Sequence, residues 1–272
     1  MTKVIFFGTP DYVLPILEAL NKNFKIVAVV TQPPKLVGRR QTKMFSPVDN
    51  WAHKRKLKII TDLSEALPAA DLGIVAAYGK IIPESIINHF PKGILNIHPS
   101  LLPKYRGASP IQSQIMDSAD ETGVSIIKMD EKVDHGPIVS RFKDKITKED
   151  TNETLRKRLF ERSANFLIEL IPNYLANKIN LKPQNESEAT YTKILRREDG
   201  LVNLRDNPFE IERKFRALTP WPGIYTIADN KRIKILKLHL EDGKLILDKV
   251  QLEGKKPVSF EEFKRGYPQM NL

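Results

Sequence analysis

The stretch GILNIHPSLLPKYRGASPIQ, from Gly93 to Gln112, is the most informative part of this chain. An apolar run in it carries Asn96 and His98 at alternate positions, and residues two apart in a strand project from the same face. Pro99 has no backbone N–H to donate and ends the run. An amide and an imidazole therefore lie at a strand end beside a turn, which is where an open α/β sheet usually holds its chemistry.

An acidic partner comes from the later segment MDEKVDHGPI, where Asp134 lies on a tight turn. Asn, His and Asp are a workable set for acyl transfer, because together they can stabilise a developing oxyanion and move a proton. Two structural alternatives stay open. His98 can be a buried histidine with satisfied hydrogen bonds, and Asp134 can be a turn aspartate bonded to its own backbone. For either residue taken alone, the structural alternative is the commoner case.

Buried strands alternate with helices around this stretch. Apolar runs predict strands at Val4 to Phe7, Lys25 to Val30, Lys58 to Ile60 and Leu72 to Ala77, with helices between them. This alternation predicts a doubly wound, mostly parallel α/β sheet. The first turn, Gly8-Thr9-Pro10, is not a dinucleotide fingerprint, because G-x-G-x-x-G is absent.

The chain is expected to contain two domains. An amphipathic helix from Thr151 to Asn177 closes the first, which we assign to residues 1–180. Polar, proline-containing sequence then predicts a linker at 181–192. In residues 193–272, short strands separated by turns at Asp229-Asn230 and Asp242-Gly243 predict a small β-barrel or compact sheet.

The charge balance favours a polyanionic partner. The formal net charge is +11 and the pI is near 9.6, although a lysine-rich solvated surface is the alternative. The long loop from Thr31 to Ser46 concentrates this charge near the strand ends, and its candidate contacts to a nucleic-acid backbone are Lys35, Arg39, Arg40 and Lys43.

Several classes of site and location are excluded or disfavoured. The chain has no cysteine, so disulfides, thiolate metal sites and cysteine nucleophiles are excluded. No H-x-x-x-H or comparable spacing indicates a metal site. The apolar run after Met1-Thr2-Lys3 is too short for a signal peptide or a membrane span. We therefore expect a soluble, cytoplasmic protein without a membrane or metal partner.

Five segments in the same order carry a resemblance that spans nearly the whole chain: FFGTPDYVLPIL, AAYGKIIP, LNIHPSLLPKYRGASPIQ, TGVSIIKMDEKVDHGPI and RALTPWPG. Together they resemble the methionyl-tRNA formyltransferases. The HPSLLPKYRG block alone is similar to the wider folate-dependent formyltransferase family. The block therefore indicates folate-dependent formyl transfer with high specificity, but it says little about which molecule accepts the formyl group.

The resemblance implies a formyltransferase-type Rossmann-like domain followed by an OB-like β-barrel that contacts tRNA. It implies transfer of a formyl group from 10-formyltetrahydrofolate to the amino group of methionine on initiator tRNA, by a monomeric enzyme that needs no metal. The family's catalytic residues fall on Asn96, His98 and Asp134. Its folate-contacting motif falls on Ser100, Leu101, Leu102 and Pro103, with the turn Ala77, Tyr78 and Gly79 beside it.

Two other functions remain open at this point. Sugar-nucleotide N-formyltransferases share the first domain and can carry a second one, but the basic loop and the RALTPWPG block suit a tRNA better. A non-catalytic RNA-binding module on the same scaffold is the other possibility. The intact set of Asn96, His98 and Asp134 argues against it.

Overall fold

Runs of apolar residues rich in Val and Ile form the central sheet of this computed structural model, which describes residues 1–38 and 41–270. Within these residues, the strands are β1 (Lys3–Gly8), β2 (Lys25–Val30), β3 (Lys35–Val37), β4 (Thr42–Met44), β5 (Lys58–Ile60), β6 (Leu72–Ala76), β7 (Ile94–His98), β8 (Arg106–Gly107), β9 (Glu121–Lys128), β10 (Ile138–Lys145), β11 (Tyr191–Thr192), β12 (Ile224–Ala228), β13 (Lys231–Glu241), β14 (Lys244–Leu252) and β15 (Val258–Ser259). The helices are α1 (Leu14–Asn23), α2 (Pro47–Lys54), α3 (Glu84–Ile87), α4 (Pro110–Met116), α5 (Asn152–Leu175), α6 (Pro208–Leu218) and α7 (Phe260–Gly266).

The central sheet has seven strands in the order β10-β9-β7-β6-β1-β2-β5. The five strands from β7 to β5 are parallel, and β9 and β10 add an antiparallel edge. From β1 the chain runs to β2 on one side and later to β6 on the other, so the strand order reverses beside β1. This confirms the predicted doubly wound, mostly parallel sheet, and ligands of such sheets bind at the carboxyl ends of strands near this reversal.

The core beneath these strand ends is apolar and aromatic. Ile5, Phe7, Val30, Ile74 and Ile94 are almost fully buried. The Phe7 ring meets the rings of Tyr78 and Phe90 edge to face, at centroid distances of 5.9 and 6.1 Å. Such geometry aligns the positive edge of one ring with the negative face of another. The packing fixes the ends of β1 and β6, where the candidate folate turn begins.

The chain divides into two compact units. The first comprises residues 1–107, 121–145 and 156–191, and the second comprises 108–120, 146–155 and 192–272. In the second unit, β12, β13, β14 and β15 form an antiparallel four-stranded sheet. Phe263 of α7 is buried with Ile233 and Val250 of this sheet. An antiparallel sheet is thus present in the C-terminal part, while its closure as an OB-like barrel and the boundaries at 181–192 stay predictions.

The basic loop contains a short hairpin that the sequence analysis did not predict. Strands β3 and β4 pair antiparallel, with Leu36 opposite Lys43. Their side chains are exposed. Lys35 and Lys43 lie on these strands, whereas Arg39 and Arg40 lie outside the described residues. None of the described helices has the length and apolarity that crossing a membrane requires.

Candidate active site

The three candidate catalytic residues come from neighbouring elements of the first unit. Asn96 and His98 lie on β7, and β6 pairs with β7 so that Val75 is opposite Asn96. Asp134 follows β9, the other neighbour of β7, in the loop that leads to β10. Because β9 is antiparallel to β7, its last residue, Lys128, lies opposite Leu95 near the start of β7. The loop after β9 then folds back along β7 and places Asp134 beside Asn96 and His98.

The Asp134 carboxylate connects the set. Its Oδ1 accepts a hydrogen bond of 3.0 Å from Asn96 Nδ2, and its Oδ2 lies 3.4 Å from His98 Nδ1. Oδ2 also accepts a 2.8 Å bond from the Gly107 backbone N–H. Asp134 adopts φ 49°, a left-handed conformation that is uncommon for a residue other than glycine. Its side chain is thus bonded to the site and does not merely cap its own turn.

His98 is both buried and aimed at the carboxylate. Only 4% of the residue is exposed, and its Nε2 lies 2.9 Å from the carbonyl oxygen of Tyr105. A carbonyl oxygen can only accept, so Nε2 carries a proton. On its other side, the ring turns Nδ1 toward the Asp134 carboxylate at 3.4 Å, so the imidazole lies between a main-chain carbonyl and a carboxylate. His98 is therefore a buried histidine that bonds to the main chain, as the structural alternative predicted, and it also faces Asp134.

The segment SLLP directly follows β7 and is held by internal bonds. The Ser100 hydroxyl donates to the Lys104 carbonyl at 2.7 Å, and the Ser100 carbonyl accepts from Ser125 Oγ at 2.8 Å. Ser125 Oγ accepts in turn from the Leu102 N–H. Ser100 and Leu102 are fully buried, while Leu101 and Pro103 are partly exposed. The Ser100 hydroxyl is therefore engaged within the protein.

The second candidate folate element, Ala77 to Gly79, follows β6 at the same edge of the sheet. Ala77 adopts φ 47°. The carbonyl of Tyr78 accepts from Thr9 Oγ1 at 2.9 Å and from Gln32 Nε2 at 3.0 Å. Gly79 adopts φ 79°, a left-handed conformation that favours glycine. This turn is fixed between the ends of β1 and β2.

Tyr78 itself points into the core. Its ring is 2% exposed, and its hydroxyl has no hydrogen-bond partner among the described residues. Burial raises the pKa of this hydroxyl. The Tyr78 carbonyl is thus engaged with Thr9 and Gln32, and its hydroxyl is a buried polar atom on the interior side.

A network that the sequence analysis missed surrounds Arg106. This side chain is 1% exposed and makes two bonds to the Glu186 carboxylate, at 2.6 and 2.9 Å. Its Nε and Nη2 also donate to Gln184 Oε1. Hydrogen bonding to Glu186 raises the pKa of Arg106, and the same contact lowers the pKa of Glu186. The polar composition of 181–190 indicated a linker, and nothing in the sequence pattern identified the partner of Arg106.

Lys35 and Lys43 are exposed on the hairpin, and Lys43 Nζ lies 5.4 Å from the centre of the Phe45 ring. The structure does not bring these lysines into hydrogen-bonding contact with the Asn96, His98 and Asp134 set. Among residues 1–38 and 41–270, no group of three or more His, Asp or Glu side chains is arranged to hold a metal ion.

Sequence comparison connects both parts of the chain to one family. A model of the formyl transferase family matches residues 2–171, and a model of the formyl transferase C-terminal domain matches residues 194–245. A methionyl-tRNA formyltransferase of Rickettsia bellii is 36% identical and covers 97% of this chain and 97% of its own length. The methionyl-tRNA formyltransferase of Buchnera aphidicola is 40% identical, over 85% of this chain and 77% of its own length.

Solved structures share the fold at lower identity. An N-formyltransferase from Helicobacter canadensis, in complex with folinic acid and dTDP-3-aminofucose, aligns with a TM-score of 0.68 and 18% identity, covering 95% of this chain and 99% of that one. A methionyl-tRNA formyltransferase from Clostridium thermocellum aligns with a TM-score of 0.63 and 20% identity, over 93% and 99%. At these identities the likeness establishes the fold and does not distinguish the acceptors.

Proposed function

The chain belongs to the formyl transferase family and, within it, to the methionyl-tRNA formyltransferases, and from this we propose that it transfers a formyl group from 10-formyltetrahydrofolate to the α-amino group of methionyl initiator tRNA. The observation that carries the proposal is the contact of Asp134 with both Asn96 and His98 at the end of β7. Full-length relatives with this reaction in their name match nearly the whole chain, which favours tRNA over an amino sugar as acceptor.

The reaction needs a group that stabilises negative charge on the formyl oxygen. The methionine amine attacks the formyl carbon, a C–N bond forms, and the carbonyl electron pair moves onto oxygen. Asn96 Nδ2 has two hydrogens, and one of them donates to Asp134. Among the described residues the second has no protein acceptor, so it is available to the formyl oxygen. A donor of this kind typically contributes about a hundredfold to a thousandfold in rate.

The reaction also moves one proton. The attacking amine loses a proton, and when the tetrahedral intermediate collapses, the C–N10 bond breaks and N10 of tetrahydrofolate takes a proton. Asp134 is the acceptor that we propose for the first step, with the His98 imidazole beside it to share the charge. The proton then passes to the leaving N10, so that the protein returns to its starting state.

Folate recognition is assigned to the two turns beside this set. Leu101 and Pro103, partly exposed, offer apolar surface for a flat ring, and the Ala77 to Gly79 turn offers backbone groups. We assign Ser100 and Leu102, both buried, to shaping the SLLP turn. The Tyr78 ring is buried against Phe7, and we assign it to holding the Ala77 to Gly79 turn in place.

The basic hairpin and the C-terminal part are assigned to tRNA. Lys35 and Lys43 would contact backbone phosphates together with Arg39 and Arg40. Residues 193–272 would form an OB-like tRNA-contacting domain after a linker at 181–192. A monomeric, cytoplasmic enzyme completes the proposal.

A competition between acceptors tests the proposed function. Purified protein is incubated with radiolabelled 10-formyltetrahydrofolate and either methionyl initiator tRNA or a dTDP-amino sugar. Formyl transfer to the tRNA alone is the expected result. Transfer to the amino sugar alone would refute the tRNA assignment, and tRNA binding without transfer to either acceptor would favour a non-catalytic RNA-binding module.

The hairpin assignment predicts a change in salt dependence. Replacing Lys35 and Lys43 with alanine removes two exposed positive charges, and each lost phosphate contact should reduce the salt slope of tRNA binding by about 1. Replacing Lys22 and Lys157, exposed on α1 and α5, is the matched control. If both double variants have the same salt slope of tRNA binding, the hairpin is an ordinary solvated surface and does not contact the tRNA.

A further inference from the structure

The segment from Lys182 to Tyr191 is bound along the active site. At its beginning, Lys182 forms backbone hydrogen bonds in both directions with Ile138, at 2.8 and 2.9 Å. Near its end, the Thr190 carbonyl accepts from the Arg106 N–H at 2.9 Å, and Thr190 Oγ1 accepts from the Tyr105 N–H at 2.8 Å. Bonds at both ends of the segment restrain the residues between them.

Gln184 connects this segment to the loop that carries Asp134. Its Nε2 donates to the carbonyls of Asp134 and Gly136, both at 2.8 Å. Its Oε1 accepts from Arg106, so one amide group is oriented from both sides. These two carbonyls flank His135 in the loop where Asp134 adopts its left-handed φ of 49°. A strained conformation persists only when its surroundings determine it, and Gln184 supplies part of that restraint.

Arg106 connects the segment to the other side of the site. Both of its chain neighbours contact the catalytic set: the Tyr105 carbonyl meets His98 Nε2, and the Gly107 N–H donates to Asp134 Oδ2. The Arg106 guanidinium is fixed by Glu186 and Gln184, and Tyr191 Oη accepts a further bond at 3.2 Å. A bidentate guanidinium–carboxylate pair is directional as well as strong. The orientation of this side chain therefore defines the two peptide groups that hold His98 and Asp134.

Glu186 reaches a third group of the loop. Its Oε1 lies 3.4 Å from His135 Nε2, while His135 Nδ1 lies 2.5 Å from Asp130 Oδ2. The residue next to Asp134 is thereby held between two carboxylates, one on its own loop and one on the segment. Gln184 and Glu186 thus contact the Asp134 loop directly as well as through Arg106.

We propose that Gln184, Glu186 and Arg106 are positioning residues for the formyl transfer, and that the segment Lys182 to Tyr191 sets the Asp134 carboxylate and the His98 imidazole at their working separation. This inference rests on the proposed function for the identity of the reaction. It does not require that the acceptor be a tRNA. None of the three side chains contacts the formyl group; they act through Asp134, Tyr105 and Gly107.

The inference predicts a loss of turnover without a loss of binding. Gln184→Glu keeps the volume and the acceptor for Arg106 but removes both donors to the loop carbonyls. Glu186→Gln removes the charge that fixes Arg106. Displacement of a reacting group by about 1 Å can cost on the order of a hundredfold, so we expect kcat to fall about ten- to hundredfold, with KM for both substrates within about twofold of wild type. The pH profile of kcat should shift, because the contacts of His98 change.

A matched control lies two residues along the same segment. The Glu188 carboxylate is exposed, and within the described residues it accepts a side-chain hydrogen bond from Asn185 Nδ2 alone. Glu188→Gln makes the same chemical change as Glu186→Gln without contacting Arg106. We expect it to retain wild-type kcat and pH profile. Thermal unfolding of each variant gives the fraction folded at the assay temperature, to which kcat is normalised.

A readout independent of activity separates this inference from the proposed function. In protein labelled with ¹⁵N-histidine, the imidazole signals of the five histidines are titrated, and that of His98 is identified by its loss in His98→Gln. The expected result is a shifted His98 titration in Gln184→Glu and Glu186→Gln, but not in Glu188→Gln. If the titration and the normalised kcat of both variants equal those of wild type, the positioning role is refuted. If the wild-type protein transfers no formyl group, the proposed function fails while the titration still decides the positioning role.

Discussion

Substituting asparagine for Asp134 tests the proposed chemistry most directly. The carboxylate accepts two hydrogen bonds through different oxygens, from Asn96 Nδ2 at 3.0 Å and from the Gly107 N–H at 2.8 Å. Asparagine has one acceptor oxygen, so its NH₂ group must face one of these two donors. A hydrogen bond to a charged group contributes about 1.5–3 kcal/mol, and this is the largest loss of unfolding free energy that we expect.

The structure also contains a way to reduce that cost. If the Asn96 amide flips, its oxygen accepts from the new NH₂ group and the hydrogen bonding is restored. The flip, however, turns the donor proposed for the formyl oxygen into an acceptor. The variant therefore loses activity in either arrangement, and it also lacks a base for the amine proton. Loss of a general base costs about a hundredfold to ten-thousandfold in rate.

The assay measures formyl transfer to methionyl initiator tRNA at saturating folate and tRNA, with thermal unfolding measured in parallel. Asp242→Asn is the matched control, because Asp242 also adopts φ 49° but lies in the exposed turn between β13 and β14. Asp134→Asn should lower turnover by at least about a hundredfold, and Asp242→Asn by less than about twofold. Turnover within about twofold of wild type in Asp134→Asn would refute the role of this carboxylate.

Two further predictions concern the same loop and the segment that holds it. Gly136→Ala should destabilise the protein by about 1–3 kcal/mol and lower turnover, because the new Cβ would lie 1.9 Å from the Lys128 carbonyl oxygen. Gly266→Ala is the control and should leave stability and turnover unchanged, since an added Cβ there meets no atom within 4 Å. Equal melting temperatures for the two variants would contradict the prediction. Hydrogen bonding to Arg106 lowers the pKa of Glu186 below its ordinary 4.5, so this contact stabilises the fold above about pH 4.5 and is lost as the pH falls through the lower, folded value. As the pH is lowered from 6 to about 3, the unfolding free energy measured with urea should therefore fall more steeply for wild type than for Glu186→Gln. Parallel curves for the two proteins would show that this ion pair does not contribute to the stability of the fold.

Local pattern was enough to determine the parallel sheet. The runs at β1, β2, β6 and β7 are nearly continuous in Val, Ile, Leu and Phe, because both faces of a parallel strand are covered by helices. The stop at Pro99 and the alternate spacing of Asn96 and His98 identified one strand end as the candidate site. The short hairpin of β3 and β4 was missed, since its exposed strands carry no alternation of apolar and polar residues that a buried face would impose.

By itself, then, the sequence determined the fold class, the candidate residues Asn96, His98 and Asp134, and the reaction that a family resemblance attaches to them. Tertiary structure alone decided how these side chains are held. The partners of Arg106 at Gln184 and Glu186 are about 80 residues away along the chain, and no periodicity links positions that far apart. The polar composition of residues 181–192 predicted a linker, because composition does not show which residue a polar side chain will bond. Only the hydrogen-bond geometry of the folded chain shows that partner.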